Sequence, residues 1–441
     1  MKPLDFGRSD DPRVQAQLDR LSALSVPQGR LGLETIRSLM ERLGNPHRKL
    51  PPVFHVAGTN GKGSTCAFLR AMLEAEGYRV HVTTSPHLVR YNERIRLAGE
   101  LISDAELAAI LAEVLDVSAD LGPSFFEVTI AAAFLAFSRT PADACVVEVG
   151  MGGRFDATNV LEPEALAACG IAALGLDHER FLLAPEEGVP TGPMARIAFE
   201  KAGIAKKGVP LVTMGGFYPP EAQAAIAETT VRVGSPQFEL TGERTDDDAF
   251  NGRGHLYYRD LYWEDLAYPP PDLGGEHQYA NAALAMTMLS VQSRLAISSQ
   301  SIRNGLRSTR WPARMQRLGA GPLTTLVPEQ SVWLDGGHNP SAGAAIAAHF
   351  DGPLHLVIGM IEGKDPRAII EPLGDRIRTL TVVPVPGHEC YPANAFGPEA
   401  RAAGDVEAAL LGLPPDDFPI LIAGSLYLAG EVLRLNDELP D

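Results

Sequence analysis

Only four cysteines, Cys66, Cys145, Cys169 and Cys390, occur in 441 residues, and no two stand in a CxxC pair. This usage excludes a disulfide framework or a thiolate zinc site, and the two that lie in apolar runs read as buried structural thiols. Long apolar runs are also missing: no stretch approaches eighteen uninterrupted apolar residues. The N-terminus MKPLDFGRSDDPRVQAQLDR is polar and acidic rather than basic and then apolar, so no signal segment is expected and the reading is a cytoplasmic protein. Cations are scarce, with 38 Lys+Arg against 55 Asp+Glu and a net charge of −17. Such a balance opposes adsorption to nucleic acid or to an anionic membrane, and neither is expected as a partner. An acidic protein that handles anions must gather its few cations locally.

Ordinary globular chemistry fills the rest, with 45% hydrophobic and 21% charged residues. The length exceeds what one core organises, which predicts two or three domains. Val53 to Ala57 reads as a short strand, followed by the turn Gly58-Thr59-Asn60-Gly61 and a helix whose apolar face is Cys66, Leu69, Met72 and Leu73. Further β-rich runs at Arg79 to Thr84, Ala144 to Val149 and Pro210 to Met214 alternate with helical stretches such as Ile130 to Phe137. This alternation predicts a mostly parallel sheet covered by helices. Between about Val231 and Tyr268 short β-like pieces, including His255 to Tyr258 and Leu261-Tyr262-Trp263, predict a small β subdomain. A second α/β series then has strands near Val332 to Leu334, Leu354 to Ile358, Leu380 to Val385 and Pro419 to Ala423.

The strongest local signal is His55-Val56-Ala57-Gly58-Thr59-Asn60-Gly61-Lys62-Gly63-Ser64-Thr65. Glycines there let successive N–H groups converge on a phosphate at a helix N-terminus, and Lys62 adds countercharge. The strict P-loop pattern asks for Gly at 56 and Ser or Thr at 63, where this chain has Val56 and Gly63. By itself the segment could be a glycine-rich turn feeding a helix.

GTNGKGS closely resembles the P-loop variant of the folylpolyglutamate synthase and dihydrofolate synthase family, within the Mur ligase superfamily. The resemblance continues through Thr84 to Leu88 (TSPHL), Tyr91 to Ile95 (YNERI), Glu148 to Asn159 (EVGMGGRFDATN), Leu176-Asp177-His178 and Phe199 to Ile204 (FEKAGI). It then runs through His277-Gln278 with Asn281, Trp311 to Arg314, Asp335 to Pro340 (DGGHNP), Gly363-Lys364-Asp365 and Gly424 to Leu428. It spans roughly Pro51 to Gly430. The implied fold is a P-loop NTPase-like, mostly parallel α/β sheet domain with a small β subdomain (1–308), followed by a smaller Rossmann-like α/β domain (309–441).

The resemblance implies an ATP- and Mg²⁺-dependent ligase joining L-glutamate to dihydropteroate or to the glutamate tail of a reduced folate, working as a monomer. It assigns Asn60, Gly61, Lys62, Gly63, Ser64, Asn281, Arg314 and Asp335 to ATP, and Ser85, Glu148 and His178 to the metal. Hard oxygen donors suit Mg²⁺. A capping Ser, a paired strand-end carboxylate and a core histidine are the competing readings. Lys62, His178 and Lys201 carry the catalytic roles, with Lys201 a candidate for carbamylation; outside the family, Lys201 reads as an exposed lysine near a helix end. Ser124, Phe125, Phe126 and Glu127, with Phe155, Asp156 and Ala157, are assigned to the pterin or benzoate of the acceptor. The two phenylalanines could equally be core, and Arg314 a surface ion pair. His338 could serve the glutamate or phosphate site or stabilise a turn.

Amide formation from a carboxylate needs a better leaving group than oxide, so ATP must first make an acyl phosphate. Closure of the two domains would then exclude water from it. A Mur-type ligase, a P-loop hydrolase without ligase activity and a non-catalytic folate binder are the rival readings. One departure stands out: the connection Glu179 to Gly192 is longer than the family's usual link to FEKAGI, close to His178.

Overall fold

A strand that is apolar at every position but one, as Val53–Ala57 is, has to be covered on both faces. In the computed structural model, which describes residues 8–24, 32–176, 179–240, 242–245, 255–259 and 265–440, this run is β1 and every residue of it is buried. It lies inside an eight-stranded sheet of order β4-β3-β2-β5-β1-β6-β7-β8. The other strands are β2 (Val80–Thr83), β3 (Ile95–Leu97), β4 (Glu100–Leu101), β5 (Ala144–Glu148), β6 (Leu166–Ile171), β7 (Leu211–Thr213) and β8 (Gln237–Glu239). From β2 through β8 all neighbours are parallel, whereas β3 and β4 form an antiparallel edge.

Ten helices belong to this part among the described residues: α1 (Pro12–Ser22), α2 (Glu34–Arg42), α3 (Lys62–Ala75), α4 (Asp104–Val117), α5 (Phe125–Arg139), α6 (Glu179–Leu182), α7 (Pro193–Ala202), α8 (Pro220–Val233), α9 (His277–Val291) and α10 (Ser299–Ser308). α3 packs against α9 and α10, and α7 against α8. Both α4 and α5 begin at an S-x-x-E capping box, Ser103 with Glu106 and Ser124 with Glu127. Strand β6 has no counterpart in the sequence reading. Its LAACGI is poor in β-branched residues because α9 lies on it, and a Cβ at Gly170 would run into Met288.

The small β piece is the antiparallel ribbon β9 (Gly242–Thr245), β10 (His255–Arg259) and β11 (Asp265–Tyr268). It starts later than Val231, since α8 continues to Val233 and β8 joins the main sheet; Leu261-Tyr262-Trp263 lies outside the described residues.

A third sheet has the order β12-β13-β17-β14-β15-β16, from β12 (Gln316–Arg317), β13 (Val332–Leu334), β14 (Leu354–Ile358), β15 (Ile377–Val382), β16 (Arg401–Ala402) and β17 (Ile420–Ala423). It is parallel except for β12. Along β14, Val357 belongs to one apolar cluster while Leu356 and Ile358 belong to another, the alternation of a sheet covered on both faces. The covering helices are α11 (Pro340–Ala347), α12 (Ile370–Leu373), α13 (Val406–Leu411) and α14 (Leu426–Leu435). β15 begins three residues before the expected Leu380, and its outer start is set by pairing with β14 rather than by apolar content.

Candidate active site

The turn that leaves β1 brings the phosphate-loop residues to the carboxyl ends of the parallel strands, where open α/β sheets bind ligands. Gly61 caps α3 with φ +80°, a left-handed conformation that side chains resist. A Cβ there would run into Asn281 Oδ1; Asn281, buried on α9, is oriented by donating through Nδ2 to Gln278 Oε1 at 3.0 Å. Gly63 lies under Trp311: a Cβ would stand 2.7 Å from Cζ2 and 2.9 Å from Nε1 of the indole. The departure from Ser or Thr at 63 therefore has a steric cause. Lys62 opens α3 with Nζ 3.5 Å from Thr59 O, and Ser64 is buried in the same turn.

Glu148 ends β5, only 5% exposed, and its Oε2 accepts from the Ser85 backbone N–H at 3.2 Å. Burial holds this carboxyl above its usual range, against the opposing pull of Lys62, of the Ser85 N–H and of Arg314. A buried carboxylate that its neighbours leave under-compensated, beside a serine, suits a hard divalent cation. His178, the third expected donor, lies outside the described residues. Lys201 is not exposed: it is 3% accessible on the last turn of α7, and Nζ donates to Gly58 O at 2.9 Å. That contact joins it to the same loop.

The third sheet supplies the opposite wall. Asn339 Nδ2 donates to Asn60 Oδ1 at 3.0 Å, with the reciprocal contact at 3.4 Å, while Asn339 Oδ1 caps α11 by accepting from Ala342 N at 2.9 Å. Arg314 donates to Ala313 O at 2.9 Å and its charge reaches Glu148. Asp335 is buried, and its two oxygens accept from Met315 N at 2.8 Å and Gly337 N at 2.7 Å. These bonds clamp a turn in which Ala313 and Met315 both have positive φ. His338 Nδ1 lies 3.1 Å from Gly336 O in the neighbouring turn.

The residues assigned to the acceptor fall into two groups. Glu127 Oε2 accepts from Ser124 N and Oγ, each at 2.8 Å, so that oxygen serves the cap of α5. Phe125 meets Tyr91 edge-on at 6.1 Å and has the Arg94 guanidinium over it at 5.3 Å, and Phe126 rests on Gly150, two residues beyond Glu148. Both rings are half-buried and pack against the main apolar cluster. Phe155 lies under Arg154 at 4.2 Å, and Ala157 is buried. Asp156 accepts from Thr158 N at 3.0 Å, Thr158 Oγ1 at 2.5 Å and Met151 N at 2.8 Å, so it shapes this loop from inside; burial pushes its carboxyl up. Thr158 Oγ1 is also 2.8 Å from His55 Nε2, inside β1, where burial pushes the imidazole down to about 3.

The structure thus gathers Asn60 to Ser64, Lys201 and Asn281 on one loop, links Ser85 to Glu148 beside it, and ties the 150–160 loop to α7 through Arg154 N and Glu200 O at 2.8 Å. The sequence reading assigned no role to Trp311 or Asn339. Asn before Pro at the start of an apolar run is a helix-start signal and could have placed Asn339.

No family model matches the chain. A folylpolyglutamate synthase of Lacticaseibacillus casei is 33% identical over 422 residues, covering 90% of this chain and 92% of that protein. The dihydrofolate synthase/folylpolyglutamate synthase of Bacillus subtilis is 31% identical over 434 residues, covering 91% and 94%. Among solved structures, the bifunctional folylpolyglutamate synthase/dihydrofolate synthase of Yersinia pestis complexed with AMPPNP and Mn superimposes with a TM-score of 0.80 at 28% identity, over 96% of this chain and 98% of that one.

Proposed function

Because the chain belongs to the folylpolyglutamate synthase/dihydrofolate synthase family, we propose that it is an ATP-dependent ligase that adds L-glutamate to dihydropteroate, to the glutamate tail of reduced folates, or to both. The observation that carries the reading is the convergence of Lys62, Lys201 and Asn281 on the Gly58–Ser64 turn, with Glu148 and Ser85 alongside and Asn339 bridging from the other sheet.

In this reading Asn60 to Ser64 wrap the ATP phosphates, Asn281 faces the base, and Arg314 and Asp335 complete the nucleotide site between a domain of residues 1–308 and one of residues 309–441. Ser85, Glu148 and His178 would hold Mg²⁺, which supplies charge compensation for the phosphates when bound. Lys62 and Arg314 orient the γ-phosphoryl group toward the acceptor carboxylate and offset its charge, the main demand of phosphoryl transfer. The acceptor oxygen takes the phosphoryl group, ADP leaves, and the glutamate amine attacks the acyl carbon. The tetrahedral adduct then expels inorganic phosphate, and the amine loses a proton. The half-buried rings of Phe125, Phe126 and Phe155 offer faces for a flat heterocycle and benzoate. Ser124 and Glu127 cap the helix start that carries Phe125 and Phe126, and Asp156 and Ala157 belong to the loop that carries Phe155.

Carbamylation of Lys201, whose Nζ reaches Gly58 O, would need its neutral amine, and the product is an anion able to approach a second cation. Among the described residues no helix is long and apolar enough to cross a membrane. In this reading the protein is a cytoplasmic monomer acting on small molecules, and its net charge of −17 speaks against nucleic acid or an anionic membrane as a partner. The acyl phosphate step is tested by ¹⁸O-labelled acceptor carboxylate: one label is expected in the released phosphate, and unlabelled phosphate accompanying amide product would exclude the intermediate.

A further inference from the structure

The segment that departs from the family pattern, residues 179–192, is fastened at two points. Leu182 of α6 is buried against Gly152, where a Cβ would stand 2.9 Å from Leu182 Cδ2, and Leu182 O accepts from Arg196 Nε at 3.2 Å. Four residues later Glu186 reaches back across α7. Its Oε1 accepts from Arg154 Nη1 at 3.1 Å, and its Oε2 from Arg154 Nη2 at 2.5 Å and Arg196 Nη2 at 2.9 Å. Glu200 closes the square by accepting from Arg154 Nε at 3.0 Å and Nη2 at 2.8 Å, with Arg196 Nη2 at 3.0 Å.

Two cations and two anions are therefore locked together largely out of water, with side-chain exposures of 21% for Arg154, 17% for Glu186, 7% for Arg196 and 6% for Glu200. Fork-on-fork pairing of this kind is directional, and loss of one partner leaves a half-buried charge uncompensated. Arg154 is the hub. Its guanidinium covers the Phe155 ring at 4.2 Å, its backbone N–H donates to Glu200 O at 2.8 Å, and the next residue after Glu200 is Lys201.

We propose that Glu186 is a positioning residue for the folate acceptor: by gripping the Nη1/Nη2 edge of Arg154, next to the Nε/Nη2 edge held by Glu200, it fixes the guanidinium plane and, through it, the Phe155 face of the acceptor pocket. The inference rests on the ligase reading above. Glu200 engages Nε and shares Nη2 with Glu186, and among the described residues only Glu186 engages Nη1, so without it the Nη1 edge of the fork loses its carboxylate. The effect falls mainly on acceptor binding, because beside the Lys201 contact to Gly58 the ATP loop is held by Asn281, Trp311 and Asn339, none of which touches the cluster.

The test compares steady-state kinetics of the full-length protein and its Glu186→Gln, Glu186→Asp and Glu187→Gln variants, with acceptor, ATP and L-glutamate each varied, alongside thermal melting. Glu187 is exposed and takes no part in the cluster, so its variant makes the same charge change without the geometry. Glu186→Gln should raise KM for the acceptor roughly tenfold, the worth of one charge-assisted hydrogen bond. KM for ATP should stay within about twofold, Glu186→Asp should recover part of the loss, and Glu187→Gln should match wild type. An unchanged or lowered acceptor KM in Glu186→Gln, equal shifts in acceptor and ATP KM, or a melting loss with kinetics intact would each overturn the proposal. A wild-type protein inactive with folate acceptors and glutamate would instead mark failure of the ligase reading itself.

Discussion

Replacing Glu148 by Gln should separate stability from function. The carboxyl is buried, and its raised pKa means that burial outweighs the attraction of Lys62, of the Ser85 N–H and of Arg314, so the charged form is net disfavoured in the metal-free fold. A Gln side chain keeps an acceptor for Ser85 N, 3.2 Å away, and removes the charge. Relief of a partly compensated buried charge is worth about 1–2 kcal/mol, which for a domain of this size raises Tm by roughly 1–4 °C. The sign with pH follows. A carboxyl whose folded pKa lies above its unfolded value leaves the native state most favoured below the unfolded value of about 4.3. That advantage is lost as pH rises through the folded pKa. The Tm difference between variant and wild type should therefore grow from low to neutral pH in chelator. Saturating Mg²⁺ and ATP should stabilise wild type by about 2.7 kcal/mol at a hundredfold excess over Kd, and the variant by much less. Scanning fluorimetry with and without chelator measures both. A variant destabilised by about 3 kcal/mol in chelator would refute the reasoning and make Glu148 a structural partner of Lys62; so would a wild-type-sized response to Mg²⁺ and ATP.

Gly63→Ala should push its methyl onto the Trp311 ring, at a cost of about 1–3 kcal/mol, and raise KM for ATP at least tenfold; unchanged nucleotide binding by calorimetry would contradict the packing. Asn339→Ser should keep the cap of α11, with stability within about 0.5 kcal/mol, yet lose the bridge to Asn60 and several-fold in turnover, whereas Asn339→Ala should lose the cap as well, about 1 kcal/mol more. His55, pushed down to about 3, is neutral in the fold. The stability it contributes is present above its unfolded pKa of about 6.5 and is lost as pH falls toward 3, so urea midpoints should fall less steeply in acid for His55→Gln than for wild type.

The two parallel sheets were legible because buried strands write themselves as short apolar runs: Val53–Ala57 in the first, and Val332–Leu334 and Leu354–Ile358 in the other, fall where the run is. β6 was not, because its small residues answer to α9 lying on it, a tertiary demand that local propensity does not carry. Gly63 was legible as a departure, but its cause came from Trp311, some 250 residues on in the chain. Ser124 and Glu127 show the opposite case: S-x-x-E is a capping signature, and the structure uses both residues in that way. Lys201 reads as exposed from its helix-end position, yet α7 turns it inward to Gly58. The cluster of Glu186 with Arg154, Arg196 and Glu200 needs a long connection to fold back over α7, and only the unusual length of that connection hinted at it.

The ligase assignment stands or falls on ATP turnover. Purified protein with Mg²⁺ is given dihydropteroate or tetrahydrofolate, each with and without L-glutamate, and phosphate release is read beside product mass. Phosphate release should require both an acceptor and glutamate, with each product heavier by one glutamyl residue. ATP cleavage indifferent to glutamate, or no heavier product with either acceptor from protein that binds ATP, would contradict the assignment.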